Sequence, residues 1–480
     1  MHWARRGAAL ALVVACALWY FADQRKNPPA FYLDESSIAY NSWTIAKHGV
    51  DEYGTAFPLY FKAFGEYKNP VYIYLLAGVF EVAHPTNLVA RRFSAVLGFL
   101  AALAMGGLAW SLTRRRLVTA IIFLTALATP NLFEISRLVF EVALFPLVLV
   151  ALLGAVLAAH RRERWNAWII LALAGSLALI TYTYSTGRLL GVLYAGGLLI
   201  LYTRERRSQI VAVWIAYALI ALLPIAIYNQ RHGGALTIRA KQISFVPNWK
   251  QQPAEVLGSL ERNFAANLLP LGQSLKGDPN ARHHVQGAGG NVLLMTFALA
   301  AIGAMVAIRR RDRFWLFVVF AALVSVIPVS VINENYHSLR IVPYPLMLIV
   351  LAIPALELTD RRWRAVVAVA LLAGVFQATW FFYHFYRDGR NRGDWFEAGI
   401  RSVVYETVAQ PERPIYVIRV GSYIHVLWYA VQGNIPLSEL HILPDNTNAP
   451  PNSLVISTGA PCDGCREVSR HGNFSSYVTR

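Results

Sequence analysis

Apolar runs of roughly membrane-spanning length recur along most of the chain, and short basic turns separate them. Such runs predict helices that cross a bilayer, because a helix needs about 20 apolar residues to span the hydrocarbon core. About eleven such segments, some of them only nearly long enough, are predicted at residues 7–22, 93–112, 117–130, 139–159, 167–183, 188–203, 209–228, 290–308, 313–332, 339–357 and 363–383.

One further apolar stretch, NPVYIYLLAGVFEVAH at residues 69–84, decides the topology. Its helical part after Pro70 has about 14 residues, or about 21 Å of helix, against a hydrocarbon core of about 30 Å. We therefore expect a helix that lies on the outer membrane surface, with Asn69 as its N-cap and Pro70 at its first position.

The basic turns support this placement. If residues 69–84 do not span and the N-terminus is inside, every basic turn falls on the cytoplasmic face, as the positive-inside rule prefers. Counting 69–84 as a span puts all of them outside. These turns are residues 114–116, 161–164, 204–207, 309–313 and 361–364.

The same topology places the longer polar segments outside, so function is expected on the outer face. The N-terminal run has no small-x-small cleavage motif before its polar flank, and it is expected to remain as the first span. The outer segments are residues 23–92, 131–138, 184–187, 229–289, 333–338 and everything after about 384.

The composition agrees with a polytopic membrane protein. Of the 480 residues, 56% are hydrophobic and 15% are charged, and the mean hydropathy is +0.42. One soluble core cannot use so many apolar residues. The net charge of +17 lies in turns between apolar runs, which indicates topology signals rather than a nucleic-acid surface. We therefore expect an all-α membrane protein that binds no nucleic acid.

The tail has a different pattern from the rest of the chain. PIYVIRV and SLVIST predict strands, and IHVLWYAVQ between them predicts a helix. We expect two domains, a transmembrane domain at residues 1–384 and a small extracytoplasmic α/β domain at 385–480. Within the tail, Cys462 and Cys465 of the CDGC motif predict a short local disulfide rather than a zinc site.

Two adjacent carboxylates follow the first span. Asp34 and Glu35 lie in FYLDESSIAYNSWTIAKHG, which predicts a short surface helix that ends at Gly49. Asp34 is a plausible N-cap of this helix, since aspartate is favoured there, and Glu35 suits a first turn. Capping and chemistry are both open explanations of this pair.

Further charges gather in the same outer loop. Glu66 and Lys68 precede the second surface helix, and Arg91 and Arg92 begin the next span. Arginine pairs at a membrane boundary commonly anchor a helix by extending to the interface. At the outer surface the same pair suits a lipid phosphate, because guanidinium groups match phosphate oxygens.

The order of these motifs resembles a known family. LDE after the first span, a short amphipathic helix, GEYKNP before a second helix and ARRFSAVLG at the next span resemble the GT-C glycosyltransferases that use polyprenyl-phosphate sugars. That family includes protein O-mannosyltransferases, aminoarabinose transferases acting on lipid A, and bacterial galacturonosyl and mannosyl relatives. The resemblance extends over residues 10–385, with TPNLFEISRLVFE, TYTYSTGRLL, GDPNARHH and NENYHSLRIVPYPL in matching order on outer loops.

The resemblance implies that Asp34 is a catalytic base. It would take the proton of an acceptor hydroxyl as that oxygen attacks the anomeric carbon opposite the departing lipid phosphate, which inverts the configuration. Cations near the phosphate would stabilise its growing charge. The implied contacts to donor phosphate or substrate are Glu35, Glu66, Lys68, Arg91, Arg92, Arg137, Tyr184, Arg188, Asp278, Arg282, His283, His337 and Arg340.

Alternatives stay open for some of these residues, because three or four cations suffice for one phosphate. Arg137 and Glu141 are one helical turn apart and alternatively satisfy each other. A metal ion is not expected: Asp278, His283 and His284 have suitable chemistry, but adjacent histidines do not easily share one ion and no third ligand is evident.

Two departures from the family limit what the resemblance implies. Relatives often show E-K-P-P where this chain has EYKNP, with Tyr67 inserted and Asn69 in place of a proline. The C-terminal domain with CDGC is not a shared signature, so the acceptor does not follow from it.

Two functions are weighed. The first is an inverting glycosyltransferase of the inner (plasma) membrane, which moves a monosaccharide from an undecaprenyl-type polyprenyl phosphate to a hydroxyl of a lipid, glycan or protein on the outer face. The alternative is a transporter or flippase of a lipid-linked substrate. Transporters need charges or broken helices near the membrane midplane, whereas the charges here crowd the outer ends of the spans. The transferase is favoured, with membrane lipids as further partners and no cofactor.

Overall fold

Helices dominate the chain as far as residue 388. The computed structural model describes residues 2–268, 272–334, 336–418, 423–444, 449–459 and 461–480, and it leaves out the side chains of residues 2–6 and 273. Each predicted span coincides over most of its length with one or more described helices, and the bounds differ by a few residues at some ends. In chain order the elements are α1 (His2–Tyr20), α2 (Leu33–His48), β1 (Phe61–Ala63), β2 (Glu66–Lys68), α3 (Pro70–Val82), α4 (Asn87–Thr113), α5 (Arg116–Ala128), α6 (Pro130–Ile135), α7 (Phe145–His160), α8 (Ala167–Thr183), α9 (Gly187–Tyr217), α10 (Leu223–Arg231), α11 (Ala235–Ile243), α12 (Pro253–Leu268), α13 (Leu294–Arg310), α14 (Arg313–Val324), α15 (Ile327–Ser330), α16 (Ser338–Ile341), α17 (Pro343–Leu351), α18 (Ile353–Leu356) and α19 (Arg361–Asp388).

Several of these helices are long and apolar enough to cross a membrane, which makes the chain a multi-pass membrane protein. The long stretch from Gly187 contains two predicted spans, which a non-helical residue, Arg206 (φ −136°, ψ 37°), separates. Helix α3 has 13 residues and begins with Asn69 as N-cap and Pro70 at its first position, as predicted. Among the described residues, the five long stretches are Asn87–Thr113, Glu141–His160, Gly187–Arg231, Arg313–Ser330 and Arg361–Asn391.

The basic turns meet at one end of the helices. Arg115 Nη1 donates to the carbonyl oxygen of Glu357 at 3.1 Å, and Arg313 forms a bidentate salt bridge with Glu205. These contacts join the turns before α5, after α18, within α9 and before α14. The predicted outer segments contact one another, since Asn131 Nδ2 donates to the Ser338 carbonyl oxygen at 3.1 Å and His284 Nδ1 lies 2.6 Å from Glu134 Oε2.

Helix α2 is buried, although the sequence predicted a surface helix. Residues 35–42 are all buried, and the helix packs between α3 and the C-terminal region. The prediction failed because the cover comes from residues almost 400 positions later, which a local pattern does not reveal. The helix ends at Gly49 (φ 68°), as predicted.

The C-terminal region forms a five-stranded mixed sheet in the order β4-β3-β5-β7-β6. Strand β3 is parallel to β4 and β5, and β7 is antiparallel to β5 and β6. Its elements are α20 (Gly399–Val408), β3 (Ile415–Ile418), α21 (Tyr423–Gln432), β4 (Leu440–Leu443), β5 (Leu454–Thr458), β6 (Arg466–His471) and β7 (Phe474–Val478).

The sequence predicted β3, α21 and β5 but not the other strands of this sheet. Strands β4 and β6 are the two edges, where one side of a strand meets solvent and the apolar alternation is weak. Strand β7 is internal, but small polar residues, Ser475 and Ser476, fill two of its buried positions. Cys462 and Cys465 form the expected disulfide in the turn between β5 and β6, with Cα atoms 5.3 Å apart.

Candidate active site

Asp34 lies in the first turn of α2 and is not its N-cap. The N-cap is Tyr32, which has an extended backbone (φ −87°, ψ 172°), and its amide nitrogen donates to Glu35 Oε2 at 3.2 Å. Glu35 therefore satisfies the start of the helix. The capping explanation of Asp34 is wrong for this reason, and its carboxylate is left for another partner.

That partner is Lys68, the last residue of β2. The hairpin of β1 and β2 turns its side chain into the protein, where Lys68 Nζ lies 2.5 Å from Asp34 Oδ1. The Lys68 side chain is 4% exposed, whereas the Asp34 side chain is 30% exposed. The pair thus presents a carboxylate that a substrate can reach, held from behind by a buried cation.

Asn69 connects this pair to two other elements. Its backbone nitrogen and its Nδ2 both donate to Glu141 Oε1, the latter at 3.3 Å, and its Oδ1 accepts from Arg188 Nη2 at 3.0 Å. A proline at this position lacks the N–H that Glu141 accepts. Asn69, which stands where the resemblance predicts a proline, therefore supplies a backbone donor that a proline does not have.

The surroundings keep Lys68 charged. Burial lowers the pKa of Lys68, but the carboxylates of Asp34 and Glu141 raise it, and the balance lies above the ordinary value. Burial also raises the pKa of the Tyr184 phenol well above its ordinary range, which Arg340 opposes and Glu141 reinforces. Tyr184 is therefore a neutral hydrogen-bond donor that lies near both cations and acids of the site.

Glu66 and Arg188 lie at the rim of the pair. Glu66 Oε2 is 3.5 Å from Arg239 Nε, and both side chains are more than a third exposed. Arg188 donates from Nη1 to the carbonyl oxygen of Leu236 at 2.8 Å. These contacts attach α11, in the long outer loop predicted at residues 229–289, to the hairpin that carries Lys68. Residues 269–271 of that loop lie outside the described residues.

Arg91 has a structural role instead of the phosphate contact that the resemblance implied. Its Nη2 lies 3.2 Å from Glu35 Oε2, and the two side chains are 3% and 0% exposed. Its guanidinium also donates to the backbone carbonyls of Pro28 and Ala30. The two carbonyls belong to the loop before α2 and Glu35 to the first turn of that helix, so Arg91 joins the loop to the helix and its donors are taken by internal acceptors.

Two further arginines lie apart from the Asp34–Lys68 pair. Arg92 is exposed on α4, since it follows Arg91 on a helix and points in a different direction. Arg137 is buried, donates to the Tyr20 carbonyl oxygen at 2.5 Å and lies 3.4 Å from the Phe133 ring centroid. The suggested pairing of Arg137 with Glu141 is wrong, because α6 ends before Arg137 and the two residues do not share a helix.

Arg282 and Arg340 approach the site from later loops. Arg282 donates from Nε to the Trp395 carbonyl oxygen at 2.8 Å, and its guanidinium lies 5.3 Å from the centroid of the Tyr32 ring. Arg340 is 12% exposed, and its ion-pair partner is the exposed Glu334 at 3.9 Å. Its Nη1 is buried without a hydrogen-bond partner among the described residues.

Asp278, His283 and His337 form a cluster of their own. One carboxylate oxygen and one ring nitrogen of each histidine lie within 4.8 Å of one another. His284 is not part of this cluster, since its Nδ1 lies 2.6 Å from Glu134 Oε2 and its Nε2 donates to the Gly289 carbonyl oxygen. His284, which the sequence places beside His283, therefore has a different partner, because adjacent side chains of this loop point in different directions.

The C-terminal region contacts the start of α2 through Glu397 and His425, which the sequence patterns did not identify. His425 Nε2 donates to Glu397 Oε2 at 2.9 Å, and its Nδ1 lies 2.7 Å from Ser36 Oγ. The same Glu397 oxygen accepts from the backbone nitrogen of Leu33 at 2.9 Å. These contacts hold the residues on either side of Asp34. No local signal marks them, because the partners are separated by more than 360 residues.

The Glu397 contacts predict a pH dependence of stability. Burial raises the pKa of Glu397, but the hydrogen bond and charge of His425 and the charge of Arg282 together lower it by more. The folded pKa therefore lies below the ordinary 4.5. A lowered carboxyl pKa stabilises the fold above the unfolded value, and this stabilisation is lost as the pH falls through the folded value. We expect Glu397→Gln to lose less thermal stability than the wild type between about pH 6 and about pH 3, measured as the unfolding midpoint in detergent.

A matched control is Glu439→Gln, which removes a carboxylate of the same region from a partly exposed pair with Arg413. Its unfolding midpoint at neutral pH is expected to lie close to that of the wild type, because partly exposed ion pairs contribute only about 0–1 kcal/mol. An equal slope for Glu397→Gln and the wild type would contradict the assigned linkage.

Comparison with known proteins identifies the fold. No protein-family model matches the chain, and no curated protein matches it. Matching solved structures include ArnT from Cupriavidus metallidurans bound to undecaprenyl phosphate, with a TM-score of 0.62, 14% identity and coverage of 98% of each chain. The apo state of that ArnT gives a TM-score of 0.63 and 13% identity, and covers 99% of this chain and 98% of that chain. The chain therefore has the GT-C fold that its motifs implied.

Proposed function

We propose that this protein is an inverting glycosyltransferase that uses a polyprenyl-phosphate sugar. The observation that carries the proposal is the Asp34–Lys68 pair, an accessible carboxylate 2.5 Å from a buried ammonium group. It lies at the end of the helices opposite the basic turns, which the positive-inside rule makes the outer face. The likeness in fold to an ArnT bound to undecaprenyl phosphate supports the class of donor.

The proposed reaction is a single displacement at the anomeric carbon. The acceptor oxygen forms the new bond to that carbon, the bond to the phosphate oxygen breaks, and its electron pair leaves with the phosphate. Asp34 takes the acceptor proton as the bond forms. Attack from the face opposite the phosphate inverts the configuration at the anomeric carbon.

Arg340 is the proposed contact to the leaving phosphate, and Lys68 is proposed as a second cation that adds positive charge to the site from behind Asp34. The Lys68 ammonium has three donors, of which Asp34 takes one. Arg340 has a partner only in the exposed Glu334 at 3.9 Å among the described residues. Arg91, Arg137, Arg188 and Arg282 are occupied by internal acceptors, and we assign them to holding the fold. Fixed cations at the phosphate stabilise charge that grows in the transition state.

The rival reading, a transporter or flippase, is less well supported. The ion pairs Asp34–Lys68 and Glu35–Arg91 involve the first turn of α2 and the start of α4, at helix ends and not at helix centres. A transport pathway requires polar groups or broken helices near the midplane. We propose that the acceptor group is a hydroxyl of a lipid, a glycan or a protein.

The test uses purified full-length protein in detergent with a panel of radiolabelled undecaprenyl-phosphate sugars and candidate acceptors. Transfer predicts release of undecaprenyl phosphate, a labelled acceptor, and an inverted anomeric configuration by NMR. A flippase leaves the lipid-linked sugar intact in this assay and moves it between leaflets of reconstituted vesicles. That outcome, without release of the lipid phosphate, would overturn the proposal.

A further inference from the structure

Three side chains outside the Asp34–Lys68 pair converge from two separate segments. Asp278 and His283 belong to the loop that precedes α13, and His337 immediately precedes α16. A carboxylate oxygen and one nitrogen from each imidazole all lie within 4.8 Å of one another. From this geometry we infer that Asp278, His283 and His337 form a binding site for a divalent transition-metal ion of the zinc type.

The distances suit such an ion. Zinc binds nitrogen and oxygen at about 2.0–2.2 Å in tetrahedral sites, which places neighbouring ligand atoms about 3.4 Å apart. His283 Nδ1 and Asp278 Oδ2 are 3.4 Å apart. A ring nitrogen of His337 lies within 4.8 Å of both atoms, so rotation of its imidazole brings it toward the third position of the triangle.

The carboxylate is oriented by neighbours, as metal-binding carboxylates usually are. Ser338 donates to Asp278 Oδ2 from its backbone nitrogen at 2.8 Å and from Oγ at 2.6 Å. The backbone nitrogen of Asn280 donates to Oδ1 at 2.8 Å. These contacts fix the Asp278 side chain, which is 3% exposed, in the direction of the two histidines.

A plain ion pair between Asp278 and His283 explains only part of the cluster. Such a pair leaves His337 without a role, although His337 Nδ1 is buried and has no hydrogen-bond partner among the described residues. A buried polar nitrogen without a partner is unfavourable by about 1–3 kcal/mol. A bound metal ion or its water satisfies this nitrogen.

The donor set selects the class of ion. Two imidazoles and one carboxylate suit zinc and its first-row neighbours, whereas calcium and magnesium prefer oxygen ligands. The Arg340 guanidinium lies near the cluster, and its positive charge disfavours a bound cation. Asp278 and the exposed Glu334, whose Oε2 is 4.0 Å from His337 Nε2, offset that charge. A water molecule is available as a fourth ligand.

The inferred ion has a structural consequence for the proposed function. It ties the loop before α13 to the start of α16, the helix that carries Arg340. It therefore holds in place the cation proposed to contact the donor phosphate. The site itself stands on its own geometry and does not depend on the protein being a transferase.

The test is metal binding by the full-length protein, purified without a polyhistidine tag and stripped with a chelator. Titration with Zn²⁺ is expected to give about one tight site per chain. The double variant His283→Ala/His337→Ala is expected to bind Zn²⁺ more than about 100-fold more weakly, and Ser338→Ala about 10-fold more weakly. The control His441→Ala, an exposed histidine on β4, is expected to bind like the wild type.

Cobalt spectroscopy tests the site in the wild type alone, in case the double variant does not fold. Co²⁺ in a site of two histidines and one carboxylate is expected to give intense visible absorption bands, which excess Zn²⁺ abolishes. Equal zinc affinity in the wild type and Ser338→Ala, together with only weak octahedral Co²⁺ bands, would overturn the inference. Neither the zinc titration nor the cobalt spectrum involves glycosyl transfer. Failure of the metal site is therefore distinguishable from failure of the proposed function.

Discussion

Asp34→Asn is expected to lower kcat by about 10²–10⁴-fold, the usual contribution of a general base. Asparagine has the same shape and still accepts a hydrogen bond from Lys68, but it takes no proton from the acceptor hydroxyl. Helix α2 is expected to remain in place, because Glu35, Glu397 and His425 hold its start. The measurement is the initial rate of release of undecaprenyl phosphate, with the unfolding midpoint measured on the same sample.

The control for this change is Asp463→Asn, an exposed carboxylate in the C-terminal region. It is expected to retain the wild-type rate. Undiminished turnover in Asp34→Asn would remove Asp34 from the role of base. A large drop in the unfolding midpoint would instead assign the loss of activity to structure.

Arg91→Met is expected to destabilise the protein by about 3–5 kcal/mol, the effect of removing one partner of a buried ion pair. The substitution leaves the Glu35 carboxylate fully buried without its counter-charge. It also leaves the carbonyl oxygens of Pro28 and Ala30 without their donor. The measurement is the free energy of unfolding in mixed detergent, supported by the yield of folded protein.

The neighbouring Arg92→Met is the matched control, since Arg92 has the same side chain on the same helix but is exposed. It is expected to change stability by less than about 0.5 kcal/mol. If Arg91→Met were as stable as Arg92→Met and bound the donor lipid less tightly, Arg91 would be a phosphate contact after all. The double variant Glu35→Gln/Arg91→Met is expected to recover part of the loss, because it removes the unpaired charge.

The acidic pair Asp34 and Glu35 shows how much of the candidate site the sequence predicts. The motif order was enough to select Asp34 and Lys68, which the fold brings to 2.5 Å. It did not distinguish Arg340, the proposed phosphate contact, from Arg91 and Arg137, since all three are arginines beside an apolar helix. Burial and internal acceptors separate them, and both are properties of the folded chain.

The metal cluster fails to appear in the sequence for a related reason. Adjacent histidines suggested one shared site, but His283 and His284 turn to Asp278 and Glu134 respectively. The third member, His337, is more than 50 residues away along the chain. Spacing rules detect ligands on one helix or one hairpin and do not detect a site assembled from two loops.

Local patterns alone determined the membrane helices, the short helix that begins at Asn69 and Pro70, and the common side of the basic turns. These features depend on hydropathy, capping and charge within a few residues, and each is encoded where it occurs. Only the tertiary structure decided that α2 is buried, that Glu35 and Arg91 neutralise each other, and that Glu397 and His425 hold the start of that helix. Such contacts join residues tens to hundreds of positions apart, and their strength comes from the burial that folding creates.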